Sequence, residues 1–135
     1  DYIERGGYTL AECGGMMYLT SVLITGTDTR MEYNMAGVLP VKVSAFKGDM
    51  HLSLGYRSFE LRGMKIRGHE FHYSQVIESD EELISAAQVY NAKGQPVNTP
   101  VYHYKNLIAS YTHLYWGETG FMGLFEPAPG DPVLF

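Results

Sequence analysis

The sequence runs to 135 residues, with 45% hydrophobic and 19% charged side chains and a formal net charge of −5. That is enough chain for one domain with its own core, and the balance is that of a globular protein rather than a disordered one. A net negative chain without a Lys/Arg cluster excludes a nucleic-acid-binding surface, and no apolar run reaches the length of a membrane span. The single cysteine, Cys13, cannot form an internal disulfide and suits a reducing, cytoplasmic compartment. The opening Asp1-Tyr2-Ile3-Glu4-Arg5 lacks the apolar core of a secretory leader. With no initiating Met, the chain is expected to be a piece of something longer.

Residues 1–5 read as the last turn of a helix closed by Gly6-Gly7, glycine supplying a left-handed cap. Residues 8–12 read as a short buried strand, Cys13-Gly14-Gly15 as a sharp break, and residues 16–24 as a helix with Met16, Leu19 and Leu23 on one face. Residues 26–30 form a polar turn. Residues 35–40 and 41–46 read as strands joined near Pro40, followed by a turn at Lys47-Gly48-Asp49. Residues 51–61 are β-rich but interrupted at Leu54-Gly55-Tyr56, and residues 64–76 alternate as a strand. Residues 78–82 form an acidic, solvated loop. Residues 86–90 and 99–104 flank Ala92-Lys93-Gly94-Gln95-Pro96 as a hairpin. Residues 107–116 are a further strand-like run, and the proline-rich tail at 126–135 is irregular. Together these elements predict one α/β domain over residues 1–135, strand-rich for its class.

A strand running into Cys13, then two glycines, then a helix is the sequence form of a nucleophile elbow. The tight turn asks for small neighbours. A helix start beneath the thiol favours the thiolate, and the Gly14 N–H points to where a tetrahedral oxyanion would form. The alternative is a buried structural cysteine before a glycine turn, and spacing leaves both open. A nucleophilic thiol also needs a base within reach. Of the five histidines, His113 stands at the end of a β-like run, where a side chain projects over the carboxyl edge of a sheet. A half-buried histidine bonded to backbone explains that position equally well, and spacing alone does not choose among His51, His69, His72, His103 and His113. His69 and His72 stand three apart on a predicted strand, on opposite faces and without a third ligand, so no metal site is expected.

Three segments carry a resemblance. Ala11-Glu12-Cys13-Gly14-Gly15-Met16-Met17-Tyr18-Leu19 is similar to the nucleophile motif of the cobyrinic acid a,c-diamide synthase family. Arg67-Gly68-His69-Glu70-Phe71-His72-Tyr73-Ser74 is similar to a second signature of that family, and Ala109-Ser110-Tyr111-Thr112-His113-Leu114 to the segment with its catalytic histidine. Met35-Ala36-Gly37-Val38-Leu39-Pro40 and Leu54-Gly55-Tyr56-Arg57 fit between them, so order and spacing agree over nearly the whole chain.

The resemblance implies the C-terminal portion of a Class I glutamine amidotransferase domain, α/β and flavodoxin-like, lacking its N-terminal strands. It implies Cys13 as nucleophile toward glutamine, His113 as its base and Gly14 as an oxyanion donor. The ammonia would amidate carboxylates of a corrin or related tetrapyrrole. ATP and Mg²⁺ are expected in a missing N-terminal domain, since no Gly-x-x-x-x-Gly-Lys-Ser/Thr loop is present here. Class I enzymes orient the histidine with a glutamate two residues later, where this chain has Tyr115. Glu70 is the candidate supporting acid, its alternative being a structural glutamate paired with Arg67 or a backbone donor. A piece with half an oxyanion hole is expected to be a weak glutaminase and, with an uncovered sheet edge, to form a dimer or larger homo-oligomer. Two readings from other classes stand beside this one: another cysteine hydrolase built on the same elbow, and a non-catalytic binding or scaffold module that keeps the motif.

Overall fold

The computed structural model describes residues 1–118 and 120–125; the irregular tail expected at 126–135 lies outside them. In the opening turn the Gly6 N–H donates to the Ile3 carbonyl and the Gly7 N–H to the Tyr2 carbonyl, both at 2.9 Å. With Gly6 at φ 86°, this is the paired closure of a helix C-terminus that the sequence predicts.

The first sheet has β1 (Thr9–Glu12), β10 (Val101–Tyr104) and β11 (Leu107–Ser110), with β11 in the middle. β1 runs parallel to β11 and β10 antiparallel to it. All four residues of β11 are buried, as its unbroken Leu-Ile-Ala run requires of a strand covered on both faces. Leu107 and Ala109 enter one core with Met16, Leu39, Val41 and Tyr111. Ile108 enters the other, with Phe59, Ile66, Val89 and Leu114. The strand that leads to His113 is thus wedged between both cores.

The single α-helix among the described residues, α1 (Gly14–Leu19), buries Met16 and Leu19. It is shorter than the helix expected at 16–24. Thr20, Val22, Ile24 and Thr25 are β-branched and lose rotamer freedom in a helix. They form β2 (Thr20–Thr25) instead, between β3 (Met31–Asn34) and β4 (Leu39–Ser44), with β7 (Gln75–Ser79) completing the sheet. Of the strand expected at 35–40, residues 35–38 are a connection, and Leu39 and Pro40 lie in β4. The β2–β4 register shifts between Thr20 and Val22, opposite Pro40, because proline has no N–H for a regular ladder.

The third sheet is built on the hairpin of β5 (Ser53–Leu61) and β6 (Met64–His72). Arg62 and Gly63 turn it with φ 52° and 74°, the double positive φ that suits strand twist. Gly55 does not interrupt β5; it stays in register opposite Glu70. β8 (Val89–Asn91) and β9 (Pro96–Val97) extend one side, and β12 (His113–Leu114) the other. The expected hairpin around residues 92–96 exists with these shorter arms, while β10 leaves to pair with β11. The architecture is α/β and strand-rich. Among the described residues no helix is long and apolar enough to cross a membrane.

Candidate active site

Cys13 sits between β1 and α1 at φ 48°, ψ −107°. A β-carbon makes that region unfavourable by about 1–3 kcal/mol, so neighbouring contacts must enforce it. Two do. The Cys13 N–H donates to the Ser110 carbonyl at 2.8 Å, and the Cys13 carbonyl accepts the Met17 N–H at 3.0 Å. One bond fastens the elbow to the end of β11 and the other starts the helix. The glycines serve differently from expectation. A Cβ at Gly14 would meet nothing within 4 Å, and one at Gly15 would make an ordinary 3.7 Å contact with Ala11. Among the described residues no clash demands them.

Burial pushes the Cys13 thiol above its ordinary range, against a lowering by the Gly14 N–H, with the Glu70 charge raising it further. The thiolate expected from a helix start is not favoured, because a helix of six residues carries little dipole and desolvation outweighs it. Such a thiol needs a base that removes its proton as it attacks.

His113 follows β11, so it reaches the same carboxyl end of the parallel pair as Cys13, where α/β sheets present their chemistry. In β12 it lies opposite His69, with Leu114 opposite Gly68. Leu114 is buried while the His113 side chain is 52% exposed. Gly68 permits this approach: a Cβ there would lie 2.3 Å from the His113 carbonyl oxygen and 2.6 Å from Thr112 Cγ2. Glu12, the residue before Cys13, reaches across. Its Oε1 accepts the Leu114 N–H at 3.0 Å, and its Oε2 lies 3.9 Å from His113 Nδ1. Neither Glu12 nor Gly68 was singled out from the sequence. The available signals were a glycine inside a strand, which marks close backbone approach, and a carboxylate at a strand end beside the elbow cysteine.

Glu70 belongs to a different cluster. Its carboxylate accepts Arg57 Nε at 2.5 Å, Ser53 Oγ at 2.9 Å and Thr99 Oγ1 at 2.6 Å, and meets His72 Nε2 at 2.5 Å. Burial raises this carboxyl, but hydrogen bonds from His72, Thr99, Ser53 and Arg57 outweigh it and hold the group at about 2. His69, not Glu70, lies opposite His113, so Glu70 points from the other face of β6. Its oxygens are committed there, and the geometry gives it no hold on His113. Its partner is Arg57 rather than Arg67, which binds Glu118 through two 2.9 Å contacts. The cluster continues toward the thiol. His72 stacks on Tyr111 with centroids 3.6 Å apart, Tyr111 Oη meets Ser74 Oγ at 3.0 Å, and Ser74 Oγ contacts Met17 Sδ at 3.2 Å. Arg57, Glu70, His72, Ser74, Gln75 and Tyr111 line a cleft of about 510 Å³, and Tyr111 also packs in the core that Cys13 borders.

The family profile of the CobB/CobQ-like glutamine amidotransferase domain matches residues 1–121. The chain belongs to this family. A cobyrinate a,c-diamide synthase of Priestia megaterium is 38% identical over 126 residues, covering 87% of this chain and 26% of that protein. One from Thermoplasma volcanium is 35% identical over 122 residues, covering 84% and 25%. One from Sulfolobus acidocaldarius is 30% identical over 125 residues, covering 87% and 27%. The chain spans about a quarter of the length of these relatives. Its strand-rich α/β architecture agrees with part of a glutamine amidotransferase-like domain, and within residues 67–74, Glu70, His72 and Ser74 line the cleft while Gly68 and His69 pair with β12.

Proposed function

We propose that this chain is the glutamine-hydrolysing part of an ATP-dependent amide ligase of the cobyrinate a,c-diamide synthase kind. The Cys13 sulfur attacks the side-chain carbonyl carbon of glutamine while His113 accepts the thiol proton. The Gly14 N–H donates to the oxyanion. As the intermediate collapses, His113 returns that proton to the departing nitrogen, and ammonia leaves a glutamyl thioester on Cys13. Water then cleaves the thioester to give glutamate and the free thiol. Ammonia goes on to amidate carboxylates of a corrin or related tetrapyrrole.

The carboxylate activation that would use ATP and Mg²⁺ is assigned to the remaining length of the relatives. The sequence has no Gly-x-x-x-x-Gly-Lys-Ser/Thr loop, and among the described residues no group of three or more His, Cys, Asp or Glu is placed to hold a metal ion.

The observation that carries the reading is the positive φ of Cys13 on a strand–helix elbow, enforced by the bonds from the Cys13 N–H to the Ser110 carbonyl and from the Met17 N–H to the Cys13 carbonyl. Ammonia release from glutamine by the intact protein tests it. Cys13→Ser should lower the rate by roughly a thousandfold or more, as loss of a covalent nucleophile does. A Cys13→Ser protein that keeps its rate would contradict the proposal.

A further inference from the structure

We propose that Glu12 is the positioning residue for His113, standing in for the glutamate absent at the Tyr115 position. The inference rests on the Cys13–His113 reading and adds the group that orients the histidine.

Glu12 ends β1 opposite Ser110, beside the strand that leads into the His113 segment. Its two oxygens are held differently. Oε1 accepts the Leu114 N–H at 3.0 Å, which fixes the carboxylate to the backbone next to the histidine. Oε2 is left 3.9 Å from His113 Nδ1. The Glu12 side chain is 20% exposed and the ring 52% exposed, so the carboxylate is the better sheltered of the two.

A carboxylate is an acceptor only, so an imidazole nitrogen facing it carries the hydrogen. With Nδ1–H toward Glu12, Nε2 keeps its lone pair and is the atom that accepts the thiol proton. The imidazolium formed in that step lies next to a negative charge. At 3.9 Å the two atoms lie beyond direct hydrogen-bond range; catalytic contacts are often long without substrate and tighten in the complex. Cys13, one residue on, is tied to Ser110 by its own N–H. Nucleophile and orienting acid are thus adjacent in sequence and both fastened to residues 110–114. Glu70 cannot take this part, because it lies on the far face of β6 with its oxygens bound.

The test is glutamine hydrolysis by the intact protein with Glu12→Gln and Glu12→Ala, beside Cys13→Ser. A glutamine amide oxygen still accepts the Leu114 N–H, so Glu12→Gln keeps the backbone anchor and removes only the charge and its acceptor toward Nδ1. If Glu12 orients His113, Glu12→Gln lowers kcat roughly tenfold to a hundredfold, less than for a fully buried triad acid because this ring is half exposed. KM for glutamine and the melting temperature stay at wild-type values. If Glu12 only anchors the backbone, Glu12→Gln behaves as wild type and only Glu12→Ala loses activity and stability; that result overturns the proposal. So does a Glu12→Gln protein whose loss lies in KM. Cys13→Ser separates the two claims. If it abolishes hydrolysis while Glu12→Gln is silent, the glutaminase reading stands and the role of Glu12 fails. If it leaves hydrolysis intact, both fail.

Discussion

Glu70 and Glu12 are both carboxylates near the thiol, and their surroundings give them different work. Glu70 is 1% exposed and its oxygens meet four side chains. Removing its charge leaves Arg57 buried without its ionic partner, which costs roughly 3–5 kcal/mol for pairs of this kind. Glu70→Gln should therefore lower stability by about that amount near neutral pH, read by denaturant unfolding. The pH dependence has a definite sign. The folded carboxyl is held at about 2 against an ordinary 4.5. Its stabilisation is complete above the unfolded value and is lost as pH falls from there toward the folded one. Unfolding curves of the wild-type chain should weaken between about pH 4.5 and 2, and Glu70→Gln should flatten that part of the profile. An unchanged acid limb would show that Glu70 is not held as described. The sequence motif around residues 67–74 was visible, but the partner of its glutamate was not. Arg57 and Arg67 are equally charged, and only the β5–β6 register places Arg57 on the same face as Glu70.

At the level of elements, the approach of β12 to β6 decides where His113 stands. Gly68 makes that approach possible, and an alanine methyl there would overlap the His113 carbonyl. Because the obstructed atom is backbone, β12 itself must move. Gly68→Ala should destabilise by about 1–3 kcal/mol, as overpacking does, and slow glutamine hydrolysis by roughly a hundredfold for a displacement near 1 Å. Unfolding and steady-state rates of the variant check both, and a variant with wild-type rate would place the catalytic base elsewhere. Strand–glycine–helix order around Cys13 was legible because a turn of that kind needs few residues and all are local. The helix boundary at Leu19 was not, since Leu23 continues the apolar period of α1 while its β-branched neighbours belong to β2. The destination of β10 was equally hidden. A strand at 101–104 follows from its residues, but its pairing with β11 rather than β8 depends on contacts that the local pattern does not encode.

Across the whole molecule, all three sheets contribute to the region of the site, the second through Gln75 and Val76 of β7, which line the cleft. The first supplies Cys13 and Glu12, the third brings His113 through β12, and the cleft opens beside Tyr111. No one segment contains this arrangement, which is why the motifs suggested the participants while the supporting residues emerged only from the fold. The chain covers about a quarter of its relatives, so the hydrolytic chemistry is the part of the proposed function that its own residues can be asked to perform. That chemistry predicts an electrophile-sensitive thiol inside a glutamine site. The direct measurement is labelling of the intact protein with a chloroketone analogue of glutamine at neutral pH, with the modified residue located by peptide mass spectrometry. The account predicts labelling at Cys13 that glutamine slows and that His113→Ala greatly reduces. A Cys13 that stays unlabelled, or that is labelled at the same rate with and without glutamine, would contradict it.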